Sequence, residues 1–154
     1  MIHCGVDPGV SGAIAVIDTD TARVDVSDLP QGPYGLDPVA FAEQLDAWGV
    51  QSVTLEDNRA MGSNGSLANF SMGRAVGLII ATVLVTGRPL HRVKPQEWQQ
   101  SVGVSNIKAA ERKEAHRQRA RELFPECEVQ LKRKADHNRA DALLIAEYAR
   151  RGPK

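Results

Sequence analysis

Cysteine is scarce in this chain. Cys4 and Cys127 are the only two, too few for a disulfide framework, and no Cys/His cluster has zinc-ligand spacing. Small disulfide-stapled scaffolds and structural zinc modules are thereby excluded, and a reducing cytosol is the expected compartment. Long apolar runs are missing too. The longest, residues 76–85, is far short of the roughly 20 residues a membrane helix needs, so no membrane partner is expected. The N-terminus shows neither the basic nor the apolar region of a signal peptide. No internal repeat is visible. Net charge is absent as well, since 19 Lys and Arg balance 19 Asp and Glu.

That balance hides an uneven spread. Residues 1–105 hold 6 basic and 11 acidic side chains, a net of −5, whereas residues 106–154 hold 13 and 8, a net of +5. An acidic site beside a basic stretch suits a metal centre next to a polyanion track. Chance on a mixed surface explains the asymmetry equally well.

With 154 residues, 42% of them hydrophobic and 25% charged, the chain fits one domain, residues 1–154, with a substantial core. Apolar segments at 2–6, 12–17 and 22–26 predict three strands in an antiparallel meander. The breaker-rich stretch 29–36 reads as loop. Asp37 before Pro38 predicts a capped helix with Phe41, Leu45 and Trp48 on its apolar stripe, ended by Gly49. A fourth strand at 50–56, a polar loop at 57–65, a long helix at 66–86 and a fifth strand at 90–93 follow. Further helices are expected from Lys94, over 108–124 and over 136–150. The order predicts an α/β fold: a mixed five-stranded sheet, three antiparallel strands then parallel ones, flanked by helices. Gly73 and Gly77 lie four apart on the long helix and predict close approach by the sheet or by a partner subunit.

Acidic residues stand where these elements begin or end. Asp7 follows the first strand, with Gly5, Gly9 and Gly12 allowing a sharp turn and the approach of a phosphate. Taken alone, Asp7-Pro8-Gly9 reads as plain turn chemistry. Glu56 ends the fourth strand, and its end should lie beside that of strand one, where ligands of such sheets gather. Asp141 sits between Ala140 and Ala142, which suggests close docking of the last helix on the sheet. His137 lies four residues earlier on the same face. Asp136 reads equally as an N-cap and as a ligand. Carboxylates that converge repel one another and call for a hard cation such as Mg²⁺.

The basic residues Lys108, Arg112, Lys113, Arg117, Arg119 and Arg121 are interleaved with Glu111, Glu114 and Glu122, which favours a solvated helix face. Lys132-Arg133-Lys134 has no acidic neighbour before Asp136 and reads, with Arg139, as a patch for a nucleic-acid backbone.

These motifs together resemble the RuvC family of Holliday junction resolvases, within the RNase H-like superfamily. Residues 5–12 resemble its first motif and Leu55-Glu56 its second. Residues 69–77 resemble its helix after the substrate loop, and residues 136–146 its last motif, in wording most like phage-borne members. The resemblance implies an RNase H-like sheet and Mg²⁺, with Mn²⁺ able to substitute, as two ions per subunit. It implies a homodimer through the helix around Gly73 and Gly77, and paired nicks across a four-way DNA junction in a bacterial or phage-infected cytosol. Asp7, Glu56 and Asp141 would hold the ions. The family's remaining ligand position is Asn138 here, so that role falls to Asp136, favoured by charge, or His137, favoured by helix phase. Lys113 or Arg139 would neutralise the phosphate. Arg59, Arg74, Lys108, Arg112 and the 132–134 patch would contact DNA. Phe70 reads as core packing in preference to base stacking. Competing readings are a related nuclease for other branched DNA or RNA–DNA hybrids, an ATP-binding domain, and a junction-binding module without activity.

Overall fold

The computed structural model describes residues 1–57 and 65–152. Arg59 and most of the expected polar loop lie outside these. In chain order the strands are β1 (Ile2–Asp7), β2 (Ala13–Asp18), β3 (Arg23–Asp28), β4 (Gln31–Gly32), β5 (Gly35–Leu36), β6 (Val53–Glu56) and β7 (Leu90–Val93). The main sheet has the order β3-β2-β1-β6-β7. β1, β2 and β3 pair antiparallel, and β6 and β7 add parallel to β1. The mixed sheet expected from the sequence is the one found. The stretch expected as loop instead folds into a small hairpin, β4 with β5. Gly35 makes the tight return possible, because its φ of 104° is open to glycine and strained for other residues.

Helices cover both faces. On one side lie α1 (Pro38–Ala47) and α2 (Ser66–Val85). Asp37 caps α1 by accepting from the backbone N–H of Val39 and Ala40, as Asp before Pro predicts. Phe41, Leu45, Ile79 and Val83 pack there against Cys4, Val6, Ile14, Val16, Val53 and Leu55. On the other side lie α3 (Pro95–Val102), α4 (Ala109–Leu123) and α5 (His137–Arg151), with short 3₁₀ turns at Pro125–Leu131 and Lys134–Asp136. There α5 runs over β1 and β2, flanked by α4 and α3, and the core gathers Ala13, Ala15, Trp98, Phe124, Leu143 and Ile145.

Strand alternation decides what faces what. Cys4 and Val6 point to the α1/α2 side, so Gly5 and Asp7 point to the α5 side. Val53 and Leu55 also point to α1/α2, so Thr54 and Glu56 face α5. Gly5 is where α5 comes closest. A Cβ built there would fall on the backbone of Ala142 and Ala146. Its role is this contact rather than the turn expected of it, and the small residues of α5 answer it from the other side. The turn itself belongs to Gly12, whose N–H donates to Gly9 O at 3.2 Å and where an added Cβ would fall on Asp7 O and Leu29.

Two expectations for α2 change. Among the described residues nothing meets a Cβ added at Gly73 or Gly77, so of the two partners expected for these glycines the sheet is not the one. Phe70, expected in the core, is 67% exposed. α2 is long and apolar enough to cross a bilayer by length and composition. In this structure it lies along the sheet, burying Ala75, Ile79, Thr82 and Val83.

Candidate active site

β1 and β6 run parallel with Val6 opposite Leu55. One residue further on, at the carboxyl ends of both strands, come Asp7 and Glu56, side by side and on the face that α5 covers. Asp141 approaches from α5. All three line one cleft of about 610 Å³, together with Trp98, His116, His137, Asn138, Arg112 and Lys113. Asp7 and Glu56 are each only 8% exposed. Burial raises the Asp7 carboxyl well above the usual carboxylate range. The charges of Asp141 and then Glu56 add to this, and the ammonium of Lys113 opposes it.

Neighbours hold the other two carboxylates. The indole Nε1 of Trp98 donates to Glu56 Oε1 at 2.9 Å. The imidazole Nδ1 of His116 lies 2.7 Å from Asp141 Oδ1. Neither ring was singled out from the sequence. His116 sits among charged residues on α4, yet it shares a four-residue spacing with the buried Ala120 and Phe124, and that stripe was the available signal. Asn138, at the position where a ligand is expected by resemblance, donates from Nδ2 to Ser11 O at 2.6 Å. It ties the first turn of α5 to the loop after β1.

The structure does not bring Asp136 to this cleft. Its carboxylate accepts from the backbone N–H of Arg133 at 2.8 Å and from the guanidinium of Arg133 at 2.8 Å. Burial pushes its pKa up, but the Arg133 bonds and the Arg139 charge win, and the net shift is downward. Asp136 therefore caps the turn before α5 rather than α5 itself. The 132–134 patch does have an acidic partner, because Asp136 pairs with Arg133. Arg139 forks onto Asp28, with two bonds of 2.7 Å, and so pins α5 to the end of β3. Lys108, Lys132, Lys134 and Arg74 are exposed and do not line the cleft.

Among the described residues, no three His, Cys, Asp or Glu side chains stand close enough to chelate one ion together. The cleft still has the chemistry of a hard-cation site. Its acidic donors are carboxylate oxygens, no cysteine lines it, and the mutual repulsion felt by Asp7 is what a divalent cation relieves.

A sheet in this order, with carboxylates at the ends of its central strands beneath a C-terminal helix, is the RNase H-like architecture. More particularly, it is the fold of RuvC. The chain matches Thermus thermophilus RuvC in complex with Holliday junction substrate at a TM-score of 0.66 and 21% identity, over 99% of this chain and 97% of that one. A second Thermus thermophilus RuvC structure gives 0.64 and 20%, over 99% and 98%. The yeast mitochondrial Holliday junction resolvase Ydc2 gives 0.57 and 14%, over 93% of this chain and 75% of that one. No protein-family model matches the chain, and no curated protein matches it in sequence.

Proposed function

We propose that this protein is a Mg²⁺-dependent endonuclease that resolves four-way DNA junctions by paired nicks, acting as a homodimer. The observation that carries the reading is the meeting of Asp7, Glu56 and Asp141, from β1, β6 and α5, in one cleft that also holds Arg112 and Lys113. The likeness in fold to junction resolvases supports it.

In this reading Asp7, Glu56 and Asp141 hold the cations, with His137, which also lines the cleft, placed to join them. Bound Mg²⁺ supplies charge neutralisation at the scissile phosphate and a more acidic attacking water. Lys113 and Arg112 orient the phosphate and offset the charge that grows on it. Asn138 keeps the Gly9–Gly12 turn at the mouth of the cleft. Lys108, Arg74, Lys132 and Lys134 give the phosphate backbone a track beyond the cleft, and exposed Phe70 offers a ring for an unpaired base.

The second subunit is a proposal of the same kind. Phe70, Gly73, Gly77 and Leu84 share one face of α2, and all four are exposed. An apolar face bearing two bare glycines suits a second copy of the same helix.

The deciding experiment is nicking of a synthetic mobile four-way junction with Mg²⁺. Symmetric paired nicks from the wild type and none from Asp7→Asn are expected. Tight junction binding without nicks in either protein would make it a binding module. Preferential cutting of RNA–DNA hybrids or flaps would replace the substrate while keeping the chemistry.

A further inference from the structure

Glu56 and Asp141 stand on different elements, β6 and α5, and two buried rings connect them. Trp98 of α3 donates its indole N–H to Glu56. His116 of α4 faces Asp141 through Nδ1. The rings meet edge to face, with centroids 5.1 Å apart and planes at 70°. Carboxylate, indole, imidazole and carboxylate thus form one unbroken path across the cleft.

The imidazole has a cost as well as a use. Facing a carboxylate oxygen, Nδ1 is the nitrogen placed to donate, and Nε2 is left with nothing to bond. Among the described residues His116 Nε2 is the buried side-chain atom without a hydrogen-bond partner. A phenyl ring would fill the space without burying an unsatisfied nitrogen. What imidazole provides and phenyl lacks is the bond to Asp141.

We propose that Trp98 and His116 are positioning residues: a ring bridge that fixes Glu56 and Asp141 relative to each other and so sets the affinity of the cleft for a divalent cation. This rests on the carboxylates being the cation ligands, as in the function proposed above. Each carboxylate is held by a buried ring, so its rotamer is chosen before the cation arrives. Neither ring touches the cation.

The test is Mn²⁺ binding to the full, DNA-free chain by electron paramagnetic resonance. It compares wild type, Asp7→Asn, Trp98→Phe, His116→Phe and His116→Asn. Phenyl keeps the ring and removes the donor, whereas the amide that His116→Asn introduces can occupy the place of Nδ1. Both Phe variants should bind Mn²⁺ about 10–100-fold more weakly, and His116→Asn should recover most of the loss. Wild-type affinity in both Phe variants, with binding lost in Asp7→Asn, would overturn the bridge and leave the cation site standing. No Mn²⁺ binding by the wild type, or full binding by Asp7→Asn, would overturn both. A second measurement leaves both rings in place. With Trp48→Phe, Trp98 is the one remaining tryptophan of two. Its emission should shift on Mg²⁺ addition, and an unchanged spectrum at saturation counts against the bridge.

Discussion

Asp7 carries a conflict that the proposed cation would relieve. Its carboxyl is raised by burial and by Asp141 and Glu56, so ionising it works against the cation-free fold. The cost is absent below the ordinary carboxylate range, where folded and unfolded chains are both protonated, and grows as pH rises from there to the shifted value. Asp7→Asn should therefore melt above the wild type at neutral pH without divalent ions, by about 2–4 °C for each kcal/mol relieved. The gap should close in acid, and Mg²⁺ should raise the wild-type melting temperature alone. Asp136 has the opposite sign. Its lowered carboxyl contributes stability above the usual carboxylate range and loses it as pH falls. Asp136→Ala should cost about 1 kcal/mol, mostly the lost cap on Arg133 N–H. The ion pair adds little, because the Arg133 side chain is 70% exposed. Mn²⁺ affinity should be unchanged, and a loss matching that of Asp7→Asn would return Asp136 to the ligand set.

At the scale of elements, the contact between β1 and α5 sets the cleft. Asp141 reaches the cleft that Asp7 lines because Gly5 lets the backbone of α5 lie against the strand. Gly5→Ala puts a methyl group into that backbone, where no side chain can turn aside. It should cost about 1–3 kcal/mol or more, seen in chemical denaturation, and should weaken Mn²⁺ binding with Asp7, Glu56 and Asp141 all intact. Wild-type stability would mean that β1 and α5 do not need this close contact. α2 gives the contrasting case. Gly77 faces open space, so Gly77→Leu should stabilise the isolated helix by up to about 1 kcal/mol.

For the whole molecule, Gly77→Leu becomes a test of assembly. In the proposed dimer a leucine there separates the two helices. Sedimentation should show the variant as a monomer with an unchanged or raised melting temperature. A variant that sediments like the wild type would remove this face of α2 from the interface. The sheet also explains the uneven charge of the chain. Asp7 and Glu56 come from the acidic part, and Arg112 and Lys113 from the basic part. The fold lays α4 beside the ends of β1 and β6, so the two meet at one cleft.

The sequence by itself determined the five strands of the main sheet, the Asp37 cap, the sheet class and the three carboxylates that line the cleft. These depend on local signals: apolar runs of strand length, Asp before Pro, and acids placed where runs stop. The tertiary structure alone decided the rest. Asp136 carries the same side chain as Asp141 five residues earlier, yet it turns to Arg133, because the turn before α5 presents a backbone N–H three residues back. Arg139 goes to Asp28, 111 residues away in the chain. Trp98 and His116 gain their partners across 42 and 25 residues. No pattern along the chain encodes such pairings. They arise when strand parity and the Gly5 contact bring distant side chains within reach of a hydrogen bond.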